Sequence, residues 1–253
     1  MKISLIQLDA GTTENWSYKD IPKLLIASKG ADLAVFPENM PFYDLEELIT
    51  IEDAREKLKS VSSSDIAFIA GGYVKEDRNT RNAVFLAYDK AIHGTYFKRI
   101  PWNDEPIEPG ESTVLFSWKP GFSCVPLICA DAMYNPNRTS TKMMNEAIQL
   151  GANSDTDTPI IISSYGADLE TNFWQKPLKL WSQGCGAVVA ICGISGNSKI
   201  TFKENGKKRH YGGGGSSMYW ADGSRSSHEN KESGIYLIDT VTRNWEYRKI
   251  SSI

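Results

Sequence analysis

Three stretches of this chain end in residues that could carry nucleophilic chemistry without a histidine. Cys129 ends the apolar run that begins at Phe122. Glu38 closes Phe36-Pro37-Glu38, and Lys98 follows Tyr96-Phe97. A thiol attacks as its thiolate. A carboxylate in a water-poor pocket can take the thiol proton. A neighbouring ammonium can steady the thiolate and then a developing oxyanion. Glu, Lys and Cys in one pocket therefore suffice for acyl transfer through a covalent intermediate. Each also has a plainer reading. Free cysteine is usually a small buried hydrophobe, a glutamate past a strand is a cap or a surface acid, and most lysines are solvated. Position favours the chemistry, because all three stand where a predicted strand ends. In open α/β sheets ligands bind at the carboxyl ends of strands.

The elements that would hold them follow from pattern. Ile3 to Leu8 reads as a strand. Asp20 is expected to cap a helix with Pro22 in its first turn and Ile21, Leu24, Leu25 and Ala27 on its apolar face. Asp32 to Glu38 is a buried strand run stopped by Pro37. The charged stretch Asp44 to Leu58 has a helical pattern, as one helix or two. Asp65 to Val74 reads as a strand in which Gly71 and Gly72 allow a bend or bulge. Asn82 to Tyr88, a turn at Asp89-Lys90 and Thr95 to Lys98 make a hairpin. Residues 99–113 are a loop. Val114 to Trp118, Phe122 to Ile128, Pro159 to Ser163 and Ala187 to Cys192 are further strands. Thr141 to Ala152 is a helix with Met144, Ala147, Ile148 and Leu150 inward, and Asn172 to Gln183 is another. Lys203 to His210 reads as a basic loop, Ser216 to Trp220 as a strand, and Gly234 to Asp239 with Trp245 to Ile250 as a final pair. With no repeat or composition break, residues 1–253 are expected to form a single α/β domain with a mixed sheet.

Composition narrows the function classes. The chain has 253 residues, 41% apolar and 23% charged, with a net charge of −3. Lysine and arginine are dispersed, so no nucleic-acid footprint or membrane-surface patch is indicated. No apolar run approaches the roughly 20 residues of a membrane span, and the charged N-terminus does not read as a signal peptide. A cytoplasmic location is expected, with the four cysteines (Cys124, Cys129, Cys185, Cys192) reduced. His93, His210 and His228 are far apart and lack metal-ligand spacing, so no metal or cofactor is expected.

The order Phe-Pro-Glu, then Tyr-x-Lys, then Ile-Cys-x-Asp, with 60 residues from Glu38 to Lys98 and 31 from Lys98 to Cys129, resembles the nitrilase (carbon–nitrogen hydrolase) superfamily, amidase-like branch. The resemblance implies an α-β-β-α sandwich that pairs into a four-layer-forming homodimer or a higher homo-oligomer. It implies Glu38 as general base, Lys98 as oxyanion stabiliser and Cys129 as nucleophile. It also implies a second site glutamate after the lysine, for which Glu105 fits best and Asp104 and Glu108 compete. The backbone at Ala130 would complete the oxyanion site, and Ser164, Tyr165, Trp102 and Tyr134 would line the pocket.

The departures bear on substrate. Nitrilases typically carry Trp then Glu after the cysteine, so Ala130-Asp131 argues against a nitrile. Trp181-Ser182-Gln183-Gly184-Cys185 replaces the usual Arg-Ala-x-Glu-Asn, and Gly193 replaces a common Asn. Gly212 to Gly215 before Ser216 resembles the superfamily's Gly-x-Ser strand start. The leading expectation is a cysteine-dependent hydrolase cleaving a small linear amide through a thioester. The alternatives are N-carbamoyl or nitrile hydrolysis, acyl transfer to an amine, and a non-catalytic binding protein that kept the fold. The Trp-containing stretch Phe173 to Trp181 is the expected partner-facing surface.

Overall fold

The computed structural model describes residues 1–9, 16–102, 104–133, 138–152, 158–164, 175–195, 201–204, 207–210, 215–226 and 232–250. Its first sheet runs in the order Trp245–Lys249, Gly234–Asp239, Lys2–Asp9, Leu33–Val35, Ala67–Glu76, Asn79–Tyr88, Ala91–Phe97. The second runs Arg225–Ser226, Ser217–Tyr219, Val189–Cys192, Ile160–Ser163, Phe122–Ile128, Phe116–Lys119. Alternation along the strands sets the layers, because side chains two apart share a face. From Lys2–Asp9, Ile3 and Leu5 join the core against the second sheet, while Ile6 and Leu8 join the core against the helices. Helices α1 (Ile21–Ala27) and α2 (Ile51–Val61) cover the outer face of the first sheet through Ile21, Leu24, Leu25, Ile51, Ala54 and Leu58. Helices α3 (Arg138–Gln149) and α4 (Gln175–Cys185) bury Met143, Ala147, Leu178 and Trp181 with the second. The result is an α-β-β-α sandwich. Among the described residues no helix is long and apolar enough to cross a membrane.

Several local expectations are corrected. Asp44 to Glu47 is not helical; the Asp44 carboxylate accepts from the N–H groups of Glu46 and Glu47, a side-chain turn that competes with helix. Helix α2 begins only at Ile51, after Ile49–Thr50 has paired with Val74 and Lys75, and Thr50 caps it by accepting from Asp53 N at 3.1 Å. Asp20 does not cap α1 with its side chain; its carboxylate turns back to Ser17 N and Oγ, closing a capping box on the preceding 3₁₀ turn. Helix α3 buries Met143 and Ala147 fully, keeps Met144 and the following Leu150 partly buried against the core as expected, and leaves Ile148 42% exposed. Lys203 to His210 is no loop, since Thr201–Glu204 and Lys207–His210 pair as a hairpin. Trp181 is fully buried within the chain, its Nε1 donating to Ala132 O at 3.0 Å, so it is not available to a partner. Phe173 lies outside the described residues.

Gly71 and Gly72 do not bulge the strand, whose register against Asn79–Tyr88 is continuous. They are small because other backbone passes close. A Cβ on Gly71 would stand 2.0 Å from Ala83 O, and one on Gly72 2.0 Å from Phe42 O. The two glycines let Pro41–Phe42 pair alongside, with Gly71 N donating to Met40 O at 2.7 Å. That pairing anchors the segment immediately after Glu38.

Candidate active site

Glu38 leaves the Leu33–Val35 strand through Pro37 and is 3% exposed. Its backbone N–H reaches across to Ser164 O at 3.4 Å. Lys98, 2% exposed, follows the Ala91–Phe97 strand. Its Nζ donates to Glu38 Oε1 at 2.7 Å and to Glu105 Oε2 at 2.7 Å. Glu105 comes from the loop beyond, while Glu108 is exposed to solvent. The geometry thus brings Glu105, not Glu108, to the lysine.

Glu105 is saturated. Oε1 accepts from Tyr73 Oη at 3.1 Å and Asn82 Nδ2 at 2.9 Å; Oε2 accepts from Lys98 and from Trp102 N at 2.9 Å. Burial pushes its pKa up, but the Lys98 charge and these bonds outweigh that and hold it below the usual carboxylate value. Burial alone would lower the Lys98 pKa. The charges of Glu38, Cys129 and Glu105 reverse this and hold the ammonium protonated. Burial and the Glu105 charge push the Tyr73 phenol well up, so it stays a donor.

Cys129 opens a 3₁₀ turn, Cys129–Ala132, at the end of the Phe122–Ile128 strand. Its φ is 42°, a left-handed conformation uncommon for a residue with a Cβ and often found at functional positions. Of the four cysteines it alone is partly exposed. Its thiol lies within the field of the Glu38 and Lys98 charges, and Ser164 Oγ donates to Sγ at 3.6 Å. Burial and the Glu38 charge push the thiol up to about 12, against the pull of Lys98 and Ser164. The resting sulfur is therefore a thiol, and a base must act on it.

Asp131, two residues on, is fully buried. Oδ2 accepts from Tyr96 Oη at 2.8 Å and Ile128 N at 3.1 Å; Oδ1 accepts from Arg99 N at 2.9 Å and Ile100 N at 2.8 Å. One carboxylate thus ties the backbone just past Lys98 to the backbone just before Cys129. Burial pushes its pKa up to about 6, and the four donors keep it from rising further.

The structure therefore brings together Glu38, Lys98, Glu105, Cys129 and Ser164, with Trp102 contributing its backbone N–H to the cluster. Ala130 is buried beside the cysteine. Tyr134 and Tyr165 lie outside the described residues. Sequence reasoning missed Tyr73 and Asn82 and saw Asp131 only as part of a motif. The available signal was a polar Asn82 heading an otherwise apolar strand. Among the described residues no His, Cys, Asp and Glu cluster could hold a metal.

No protein-family model and no curated protein sequence matches this chain. Solved structures do. An amidase from Nesterenkonia sp. AN1 is 20% identical with a TM-score of 0.70, covering 94% of this chain and 92% of that one. XC1258 from Xanthomonas campestris, a CN-hydrolase superfamily protein with an arsenic adduct in its active site, is 15% identical with a TM-score of 0.68, covering 96% and 91%. The glutamine-dependent NAD+ synthetase of Acinetobacter baumannii is 15% identical with a TM-score of 0.70; 99% of this chain matches 48% of that one. This chain thus shares its fold with an amidase from the nitrilase superfamily and with a CN-hydrolase superfamily protein. The likeness to the amidase spans nearly the full length of both chains.

Proposed function

We propose that this chain is a cysteine-dependent amidase that cleaves a small linear amide through a thioester. The observation that carries the reading is the buried Glu38–Lys98–Glu105 cluster, with 2.7 Å contacts, set against the left-handed Cys129. Glu38, whose Oε1 accepts from Lys98 and from Asn82, takes the thiol proton. The thiolate attacks the amide carbonyl. Lys98 and the Ala130 N–H hold the oxyanion. The C–N bond breaks, and ammonia or an amine leaves with the proton from Glu38. Water, deprotonated by Glu38, then cleaves the thioester and releases the acid, and the sulfur regains its proton. Glu105, with four donors, serves as a fixed anion and not as a proton carrier.

The Nesterenkonia amidase supports this reading. Glutamate-to-glutamine variants of it carry acrylamide added at the active-site cysteine, or the acetamide moiety of fluoroacetamide covalently bound there. The test is an ammonia-release screen across ω-amides, N-carbamoyl compounds, short aliphatic amides and nitriles. Release from nitriles alone would overturn the amide reading. A thioester on Cys129, seen by mass spectrometry, separates an enzyme from a binding protein; free acid against new amide separates hydrolysis from acyl transfer.

Brief iodoacetamide treatment is expected to label Cys129 first. Cys124 and Cys192 are fully buried with their thiols pushed far up by burial, and Cys185 is buried and pushed up to about 12. Of the four thiols, Cys129 is the one acted on by a carboxylate and an ammonium, those of Glu38 and Lys98. Peptide mapping that finds Cys124 or Cys192 labelled ahead of it would count against the site. A homodimer, as the superfamily resemblance implies, is also proposed. Light scattering that finds only a 28.2 kDa species at working concentration would exclude it.

A further inference from the structure

The geometry points to Asn82 as a positioning residue, one amide that fixes the two site glutamates on either side of Lys98. The inference rests on the amidase reading above. Asn82 is 1% exposed and sits in the middle of three neighbouring strands. Across one neighbour it is the register partner of Tyr73, and across the other its carbonyl accepts from Lys98 N at 2.8 Å. Val84 and Tyr96 face the second sheet, so by the two-residue period Asn82 and Lys98 face it too. Tyr73, Asn82 and Lys98 form a row across the sheet, and Glu38 and Glu105 close over it.

Both N–H bonds of the Asn82 amide are spent on carboxylates. Nδ2 donates to Glu38 Oε1 at 2.9 Å and to Glu105 Oε1 at 2.9 Å. Two carboxylates this close repel, and one ammonium between them leaves a net negative cluster. An amide group bonded to one oxygen of each supplies the missing donors without a second positive charge. The Asn82 bond helps hold Glu105 low.

The other end of the side chain shows that packing alone does not explain the residue. Among the described residues, the buried Asn82 Oδ1 has no hydrogen-bond partner. An uncompensated buried acceptor destabilises a fold. A residue kept only for stability would have both ends satisfied.

The test compares Asn82→Ala and Asn82→Asp with wild type. One readout is the rate of iodoacetamide labelling of Cys129 against pH, which requires the base but no substrate. The other is kcat/KM against pH on the best amide. The acid limb of both profiles is expected to move up by about one pH unit in the alanine variant, the scale of one lost bond to a charged group. It should move further in the aspartate variant, which adds a third negative charge. The cluster titrates as a unit, so the limb belongs to the cluster and not to one residue. The rate lost at neutral pH is recovered at higher pH. Limbs that stay in place in both variants, whatever the rates, overturn the inference. So does a wild type whose labelling has no acid limb. A wild type that shows the limb, with variants that shift it, but turns over no amide overturns the amidase reading and leaves the Asn82 role standing. If the alanine variant fails to fold, the aspartate variant, which keeps the side-chain shape, decides.

Discussion

Arginine in place of Lys98 should give a folded protein whose turnover falls by at least about a hundredfold. If the lysine only balanced charge, arginine would serve. The lysine carries three N–H donors on one compact nitrogen. Two of them are committed, to Glu38 Oε1 and to Glu105 Oε2, both at 2.7 Å. The third is the one proposed to meet the oxyanion. A guanidinium is a broad planar fork that pairs carboxylates two bonds at a time. In a pocket where Lys98 is 2% exposed, that fork has to displace something or take Glu38 as a bidentate partner. A bidentate Glu38 no longer offers an oxygen to the thiol. Loss of one oxyanion donor alone typically reduces turnover by ~10²–10³. The measurement is kcat on the best amide beside a thermal melt. A variant within about threefold of wild type would refute the role given to Lys98.

The second large effect is expected from Glu38→Gln, and it has two parts of opposite sign. Turnover should fall by about 10²–10⁴, the usual contribution of a positioned acid–base group. At the same time the Cys129 thiol should become more acidic. Burial pushes the thiol up most, and the Glu38 charge pushes it further, to about 12. Glutamine removes the charge while Lys98, which favours the thiolate, stays. The thiolate fraction at mildly alkaline pH therefore rises as turnover collapses. Ultraviolet titration of the thiolate in the variant, against a Cys129→Ala control, reads the first quantity, and steady-state kinetics the second. A thiol titrating higher than in wild type, or a rate loss under tenfold, would be incompatible with Glu38 as the base.

The parts of this site visible in the sequence were those marked by local pattern. Glu38 and Cys129 each end an apolar run, and Lys98 ends one strand of a hairpin, so strand ends alone bring all three into view. Glu105 could be named from its place after Pro101, but choosing it over Glu108 required the distance to Lys98. Tyr73 and Asn82 were invisible for a different reason. Their roles come from cross-strand register, which sets residues far apart in the chain side by side. Asp131 is similar, since three of its four donors lie about thirty residues away. The helical errors were errors of phase and of competition. Met143 and Met144 are adjacent, and a turn of about 100° separates the fully buried one from the partly buried one. Asp44 forms its own turn where charge pattern alone suggested helix. The Lys203–His210 hairpin lacks the apolar alternation that announces a strand. Trp181 read as a sticky surface because one sequence does not say that Ala132 O waits for its indole.

The seam between the two sheets runs through the site. Glu38, Tyr73, Asn82 and Lys98 belong to one slab, and Cys129 and Ser164 to the other. Bonds that cross it include Glu38 N to Ser164 O, Tyr96 Oη, Arg99 N and Ile100 N to Asp131, Ser216 N to Gln7, and the Cys192 thiol to Ile6 O and Val35 O. Neither slab alone holds both a thiol and its base. The first slab alone carries a charged cluster with nothing to activate, and a second slab parted from the first carries an ordinary cysteine. Reactivity is thus licensed by closure, and the molecule arms itself only as its halves come to rest against each other.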